Sequence, residues 1–124
     1  MVAQQLEAML ITGVSRVLLE QTTFSKRRVT SLDWVSYPTL RFKDHPKVTT
    51  TYVWRQDELA ERTSLNSGYN GPKYRGVGES LIVPTVSAIG NAFFDATGVR
   101  MRRAPMTPPA VRATLAAAGR LYKG

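Results

Sequence analysis

The chain has 124 residues, of which 43% are hydrophobic and 21% charged, and this composition excludes a disordered segment and predicts one domain, 1–124. It has no cysteine and one histidine, His45, which leaves little for disulfides, thiolate chemistry, a protein-only zinc site or a Ser-His-Asp triad. Without an apolar run long enough to span a membrane or to form a signal peptide, we expect a soluble, cytoplasmic protein.

The net charge of +8 is concentrated in two short clusters, "SKRR" at 25–28 and "RMRR" at 100–103. Such clusters are compatible with nucleic-acid binding. However, no recognition helix, RRM, KH or zinc-finger pattern accompanies them. A solvated surface or contact with an acidic protein partner is the favoured interpretation.

The first element is an amphipathic helix from Val2 to Glu20. Its apolar positions recur at helical spacing: Leu6, Leu10, Val14, Val17 and Leu18. Glu7 falls inside this apolar stripe, so its carboxylate needs a partner. A backbone hydrogen bond from a neighbouring loop is favoured over a catalytic role.

Strand patterns follow the first helix. "TTFSKRRVTSL" is typical of a hairpin with a polar turn, and "KVTTTYVW", 47–54, alternates as a strand does. Pro38 and Pro46 interrupt the segment between them, which predicts a connection that contains His45.

The second half combines a long polar loop, 55–79, with two bounded helices. One helix is predicted from Pro84 to a left-handed stop at Gly98, and the other from the N-cap Thr107 to Gly119. Together with the predicted strands, these helices indicate an α+β fold in which helices pack on a small mixed sheet.

The stretch "GVGE" places Glu79 after Gly76 and Gly78 and shortly before a predicted helix. Glycines permit a tight turn that can approach another group closely. The positive end of the following helix favours an ionised carboxylate, which suits a proton acceptor. Taken alone, the pattern fits a structural turn better than a catalytic acid, because Gly-x-Gly lacks the rest of a nucleotide-binding fingerprint.

A resemblance adds to this interpretation. "RGVGESLIVPTVSAIGNAFFDATGVRMRRAPMTP" resembles the C-terminal end of the large, molybdopterin-binding subunit of molybdenum hydroxylases, the xanthine dehydrogenase and aldehyde oxidase family. "QLEAMLITGVSRVLLEQTTF" is similar to that family's Q-I-E-G-G-I-x-Q-G helix, and "YPTLRF" to its Y-P-x-L-R segment. The similar motifs occur in the same order from about Gln4 to Leu115.

The resemblance implies roles for four residues. The family's G-x-G-E glutamate is a general base that accepts a proton while a water-derived oxygen is added to an aldehyde or N-heterocycle carbon, and it falls on Glu79. The family's cofactor-contacting glutamine falls on Gln5, while Gly76 and Gly78 would hold the turn against molybdopterin. No residue of this chain is expected to bind a metal directly.

The resemblance also implies that residues 1–124 are a C-terminal fragment of the molybdopterin-binding domain. Its partners would be the remainder of that subunit, an iron–sulfur subunit and a small-molecule substrate. We expect the isolated chain to hold no cofactor, to be inactive and to form a homo-oligomer. The alternative is a non-catalytic basic interaction module, with nucleic acid as one candidate ligand. Ala8, Thr12 and Ser80 stand where the family usually has glycine, glutamine and proline.

Overall fold

A computed structural model describes residues 2–51, 53 and 78–121 of the chain. This part contains three α-helices: α1 (Val2–Leu18), α2 (Ile82–Thr97) and α3 (Pro108–Ala117). A short 3-10 helix, Phe42–Asp44, lies in the connection after α1. All three predicted helices are confirmed. They could be predicted because their apolar periodicity and their end signals are local properties of the sequence.

The helix ends follow the expected chemistry. Gly98 ends α2 with φ of 70°, and its N–H donates to the Phe94 carbonyl at 2.7 Å. Left-handed backbone of this kind favours glycine. Thr107 is the N-cap of α3, with Pro108 at the first helical position. Pro84 lies within the first turn of α2, where a missing N–H costs no intrahelical bond.

The predicted small mixed sheet, and with it the α+β fold class, is wrong. The described residues are mostly helical and contain no β-strand, only an isolated antiparallel bridge between Phe24 and Val29. In residues 47–51 exposed and half-buried positions alternate as predicted, but no ladder partner is present among the described residues. A strand is defined by hydrogen bonds to a second strand, and alternation alone cannot supply one. Positions 52 and 54 of the predicted strand lie outside the described residues.

The predicted hairpin is present only as a short turn. Ser25 and Arg28 are joined by a backbone hydrogen bond of 2.8 Å, and Thr30 N–H donates to the Thr23 carbonyl at 2.8 Å. The Thr23 and Thr30 hydroxyl oxygens are 2.7 Å apart. The cluster "SKRR" therefore forms the exposed tip of this turn.

The small core lies where α1 packs against α2 and where the segment before α3 returns to α1. Val17 is 1% exposed and Met106 is buried beside it, with the Met106 N–H donating to the Val17 carbonyl at 2.6 Å. Ser15, also buried, accepts a hydrogen bond at Oγ from the Leu40 N–H at 2.9 Å. These contacts attach both connecting segments to the last turns of α1.

A second turn, after the hairpin, presents apolar side chains to solvent. The Asp33 carboxylate accepts hydrogen bonds from Ser36 N–H, Ser36 Oγ–H and Val35 N–H, at 2.8, 2.8 and 3.1 Å. These bonds, those from Ser36 foremost, lower the pKa of Asp33 because they stabilise its charged form. The turn leaves Trp34 and Val35 exposed.

No helix in the described ranges is long and apolar enough to cross a membrane.

Candidate functional site

Glu79 lies in the turn that leads into α2. Its side chain is exposed, and its backbone carbonyl accepts a hydrogen bond from the Ile82 N–H at 3.2 Å. Leu81, the N-cap of α2, provides no side-chain cap. The turn therefore fixes the backbone of Glu79 beside the start of a helix and leaves the carboxylate in contact with water.

Of the two glycines before Glu79, Gly78 is in the described part of the chain and Gly76 is outside it. Among the described residues, nothing lies within 4 Å of a Cβ added at Gly78. No described neighbour therefore requires glycine at position 78. The cofactor contact predicted for both glycines stays a prediction.

The closest approach of α1 and α2 is at Gly13. A Cβ built at Gly13 would lie 2.9 Å from Thr85 Cβ and 3.0 Å from Thr85 Cγ2. Contacts this short do not occur between real side chains, so only glycine fits at this crossing. This contact was not predicted from the sequence, although a glycine inside a helical pattern is a known signal of close packing.

The order of contacts shows that α1 and α2 run in the same direction. Gly13 meets Thr85, and one turn later Val17 is bonded to Met106, whose Cε is next to Gly90. Gln5 precedes Gly13 on α1, just as Glu79 precedes Thr85. Gln5 and Glu79 therefore lie towards the same end of the helix pair, and both side chains are exposed.

An apolar groove with a volume of about 340 Å³ runs between the two helices, beside the turn that carries Glu79. It is lined by Leu10, Val14, Leu81, Pro84, Thr85, Ala88 and Ile89. An exposed carboxylate next to an apolar groove can accept a proton from a molecule whose apolar part lies in the groove.

Two further expectations concern acidic and metal-binding groups. Glu7 is exposed, and the backbone partner expected for its carboxylate is not found among the described residues. In the same ranges, no group of three or more His, Cys, Asp or Glu side chains could hold a metal ion. A metal at this site would need ligands from outside the described residues.

The sequence is 38% identical over 118 residues to one subunit of the nicotinate dehydrogenase of Pseudomonas putida, a match that covers 95% of this chain. The chain spans 9% of the length of that protein. No family model matches the sequence. The chain is therefore similar to a short part of a subunit of an oxidoreductase.

Proposed function

We propose that this chain is the C-terminal portion of the molybdopterin-binding subunit of a molybdenum hydroxylase, of the xanthine dehydrogenase and aldehyde oxidase family. The observation that carries the proposed family is the 38% identity, over 95% of the chain, to a nicotinate dehydrogenase subunit. The C-terminal placement rests on the motif resemblance alone. The reaction would be hydroxylation of an electron-poor carbon with water. Because nicotinate is an N-heterocycle, the similarity favours an N-heterocyclic substrate over an aldehyde.

In this proposal Glu79 is the general base. Its position supports the role in two ways: the carboxylate is exposed, and the turn before α2 holds its backbone. The adjacent groove, with a volume of about 340 Å³, offers an apolar surface to one side of the reacting molecule. Glu79 would accept the proton that is released when a water-derived oxygen is added to the substrate carbon.

The described residues fit a cofactor that is held mainly by other segments. They include no cluster of metal ligands, but the exposed Gln5 amide lies at the same end of the helix pair as Glu79. An amide both donates and accepts hydrogen bonds, so Gln5 could contact polar atoms of molybdopterin. When bound, the molybdenum cofactor would supply the redox-active metal, and iron–sulfur clusters on a partner subunit would carry the electrons away.

Substitution of the proposed base tests its role. In the assembled enzyme that contains this chain, Glu79→Gln keeps the shape of the side chain and removes its basicity. We expect turnover to fall about a hundredfold to ten-thousandfold, with molybdenum content unchanged. Glu7→Gln, which changes another exposed glutamate, is the control and should retain full turnover. Near-normal turnover of Glu79→Gln at full molybdenum content would rule out Glu79 as the base.

The role proposed for Gln5 needs a separate measurement. Gln5→Ala should lower the retention of molybdopterin in the assembled enzyme, because it removes hydrogen bonds that contribute about 1 kcal/mol each. The side chain is exposed, so the melting temperature of the chain should not change. A lowered melting temperature with normal cofactor content would instead assign Gln5 a structural role.

A further inference from the structure

A segment with three arginines separates two concave cavities. Residues 100–104, here called the arginine wall, line both of them. The larger cavity, of about 530 Å³, lies between the wall, the end of α1 and the middle of α2. The smaller one, of about 440 Å³, lies between the wall and α3.

The arginine wall is held in place at both ends. The guanidinium carbon of Arg100 lies 3.8 Å from the centre of the Phe94 ring, and its Nη1 donates to Asn91 Oδ1 at 2.9 Å. Two residues beyond its other end, the Met106 N–H donates to the Val17 carbonyl. A guanidinium has five N–H donors, so Arg100 keeps most of them for a further partner.

The side chains that line the two cavities favour binding of an anionic ligand. Among the described residues that line the two cavities there is no aspartate or glutamate, so no carboxylate there neutralises the arginines. Neutral hydrogen-bonding side chains are present instead: Ser87 and Asn91 in the larger cavity, Gln21 and Thr107 in the smaller. The Thr107 hydroxyl makes no capping hydrogen bond to α3 and can donate to a ligand.

We propose that the arginine wall binds a small organic phosphate. The planar fork of arginine matches two phosphate oxygens at once, and Arg102 and Arg103 line both cavities. Val17, Val86 and Met106 give the larger cavity an apolar side for the organic part. Both volumes fall within the range of small-molecule sites, which favours a small ligand over a protein or nucleic-acid surface.

This site is separate from Glu79. The wall follows the C-terminal end of α2, whereas Glu79 precedes its N-terminal end. The proposal therefore does not rest on the oxidoreductase function, and either one can fail while the other holds.

Calorimetry and NMR on the 124-residue chain test the proposal, with sodium pyrophosphate and adenosine monophosphate as probes and adenosine as the phosphate-free comparison. We expect both phosphates to bind with a Kd on the order of 1 mM or tighter, and adenosine not to bind. Amide shifts should concentrate in residues 100–104. The double variant Arg102→Gln/Arg103→Gln should weaken binding about tenfold or more. Arg102→Lys/Arg103→Lys, which keeps the charge but loses the fork, should lie in between.

The control variant, Lys26→Gln/Arg27→Gln, removes the same charge from the hairpin turn and should change the Kd by less than about twofold. Circular dichroism verifies the helix content of each variant. The proposal is overturned if neither phosphate binds at about 10 mM, or if the control weakens binding as much as the wall variant. It is also overturned if a tetraglutamate peptide binds more tightly than pyrophosphate through the same arginines, which would make the wall a docking surface for acidic polypeptide.

Discussion

Gly13 and Gly90, in neighbouring helices, differ in whether their surroundings require glycine. At Gly13 a Cβ would lie 2.9 Å from Thr85 Cβ, which is backbone-anchored and cannot swing away. At Gly90 a Cβ would lie 3.6 Å from Met106 Cε, an ordinary contact with the end of a flexible side chain. Gly13 therefore permits the helix contact, whereas Gly90 only lowers helix propensity.

The same substitution at these two positions should have opposite effects. Gly90→Ala should raise the free energy of unfolding by up to about 1 kcal/mol through helix propensity. Gly13→Ala gains the same propensity but forces α1 away from α2, at a cost of about 1–3 kcal/mol, so we expect net destabilisation. Thermal unfolding followed by circular dichroism measures both. Equal stabilisation by the two variants would mean that the helices are not in contact at Gly13.

At the scale of elements, the connection that follows α1 is attached to that helix through one buried hydroxyl, that of Ser15. Ser15 Oγ accepts from the Leu40 N–H, and the Ser15 carbonyl also accepts from Leu19 and Glu20 N–H at 2.9 and 3.2 Å. Ser15 thus ends the helix with its carbonyl and holds the returning chain with its side chain. Nearby, the Tyr37 hydroxyl donates to the Glu20 carboxylate at 3.0 Å, which raises the pKa of Tyr37 because ionisation would break this bond.

Removal of the Ser15 hydroxyl should release this connection. Ser15→Ala leaves the Leu40 N–H without its acceptor, so we expect a loss of about 1–2 kcal/mol and faster hydrogen exchange at the Leu40 amide. Ser87→Ala is the matched control, because the exposed Ser87 hydroxyl donates only to the Val83 carbonyl of its own helix. That change should stay within about 0.5 kcal/mol. If hydrogen exchange at the Leu40 amide is unchanged in Ser15→Ala, another group holds this connection against α1.

The contrast between helices and strands explains what the sequence could predict of the fold. Each helix end depends on residues within one turn, such as Thr107 and Pro108 before α3 and Gly98 after α2. A strand depends on a partner that may be anywhere in the chain or outside it, and residues 47–51 show alternation without a described partner. Local signals therefore predicted the helices correctly, whereas the sheet that was predicted from local alternation was wrong.

The candidate site also has features that the sequence predicts and features that it does not. The position of Glu79 just before a helix was predictable, because Pro84 and the apolar stripe of α2 are sequence features. The close packing at Gly13 and the cavities beside Arg102 and Arg103 were not, because they arise from the packing of distant segments. The catalytic role of Glu79 came from a resemblance and stays a proposal.

At the scale of the whole molecule, several large apolar side chains outside the core are exposed to solvent. Leu32, Trp34, Val35 and Phe42 are 73%, 78%, 87% and 93% exposed, and all lie in the connection after α1. Exposed groups of this size are typical of surfaces that contact another chain or another part of a larger subunit. The hydrogen bonds around Asp33 hold Trp34 and Val35 outward, so their exposure is built into the turn.

We therefore expect the isolated chain to fold and to self-associate, most simply as a two-fold dimer. Light scattering at micromolar concentration measures the mass, and Trp34→Ser should shift the population towards monomer by removing a large apolar contact. Metal analysis of the same sample should find no molybdenum. A monodisperse monomer would contradict the association, and stoichiometric molybdenum would contradict the view that the chain needs further segments to hold the cofactor.

The contact between Gly13 and Thr85 has a consequence for natural variation. Because the two positions share a space too small for two side chains, a change at one restricts what the other can accept. Relatives that keep this helix pair should carry glycine at position 13 whenever position 85 is Thr or larger, and should admit alanine at 13 only where 85 has become glycine. Positions 13 and 85 should therefore covary, although the intervening sequence is free to diverge. Relatives with alanine at 13 and threonine at 85, and with an unshifted helix pair, would contradict this rule.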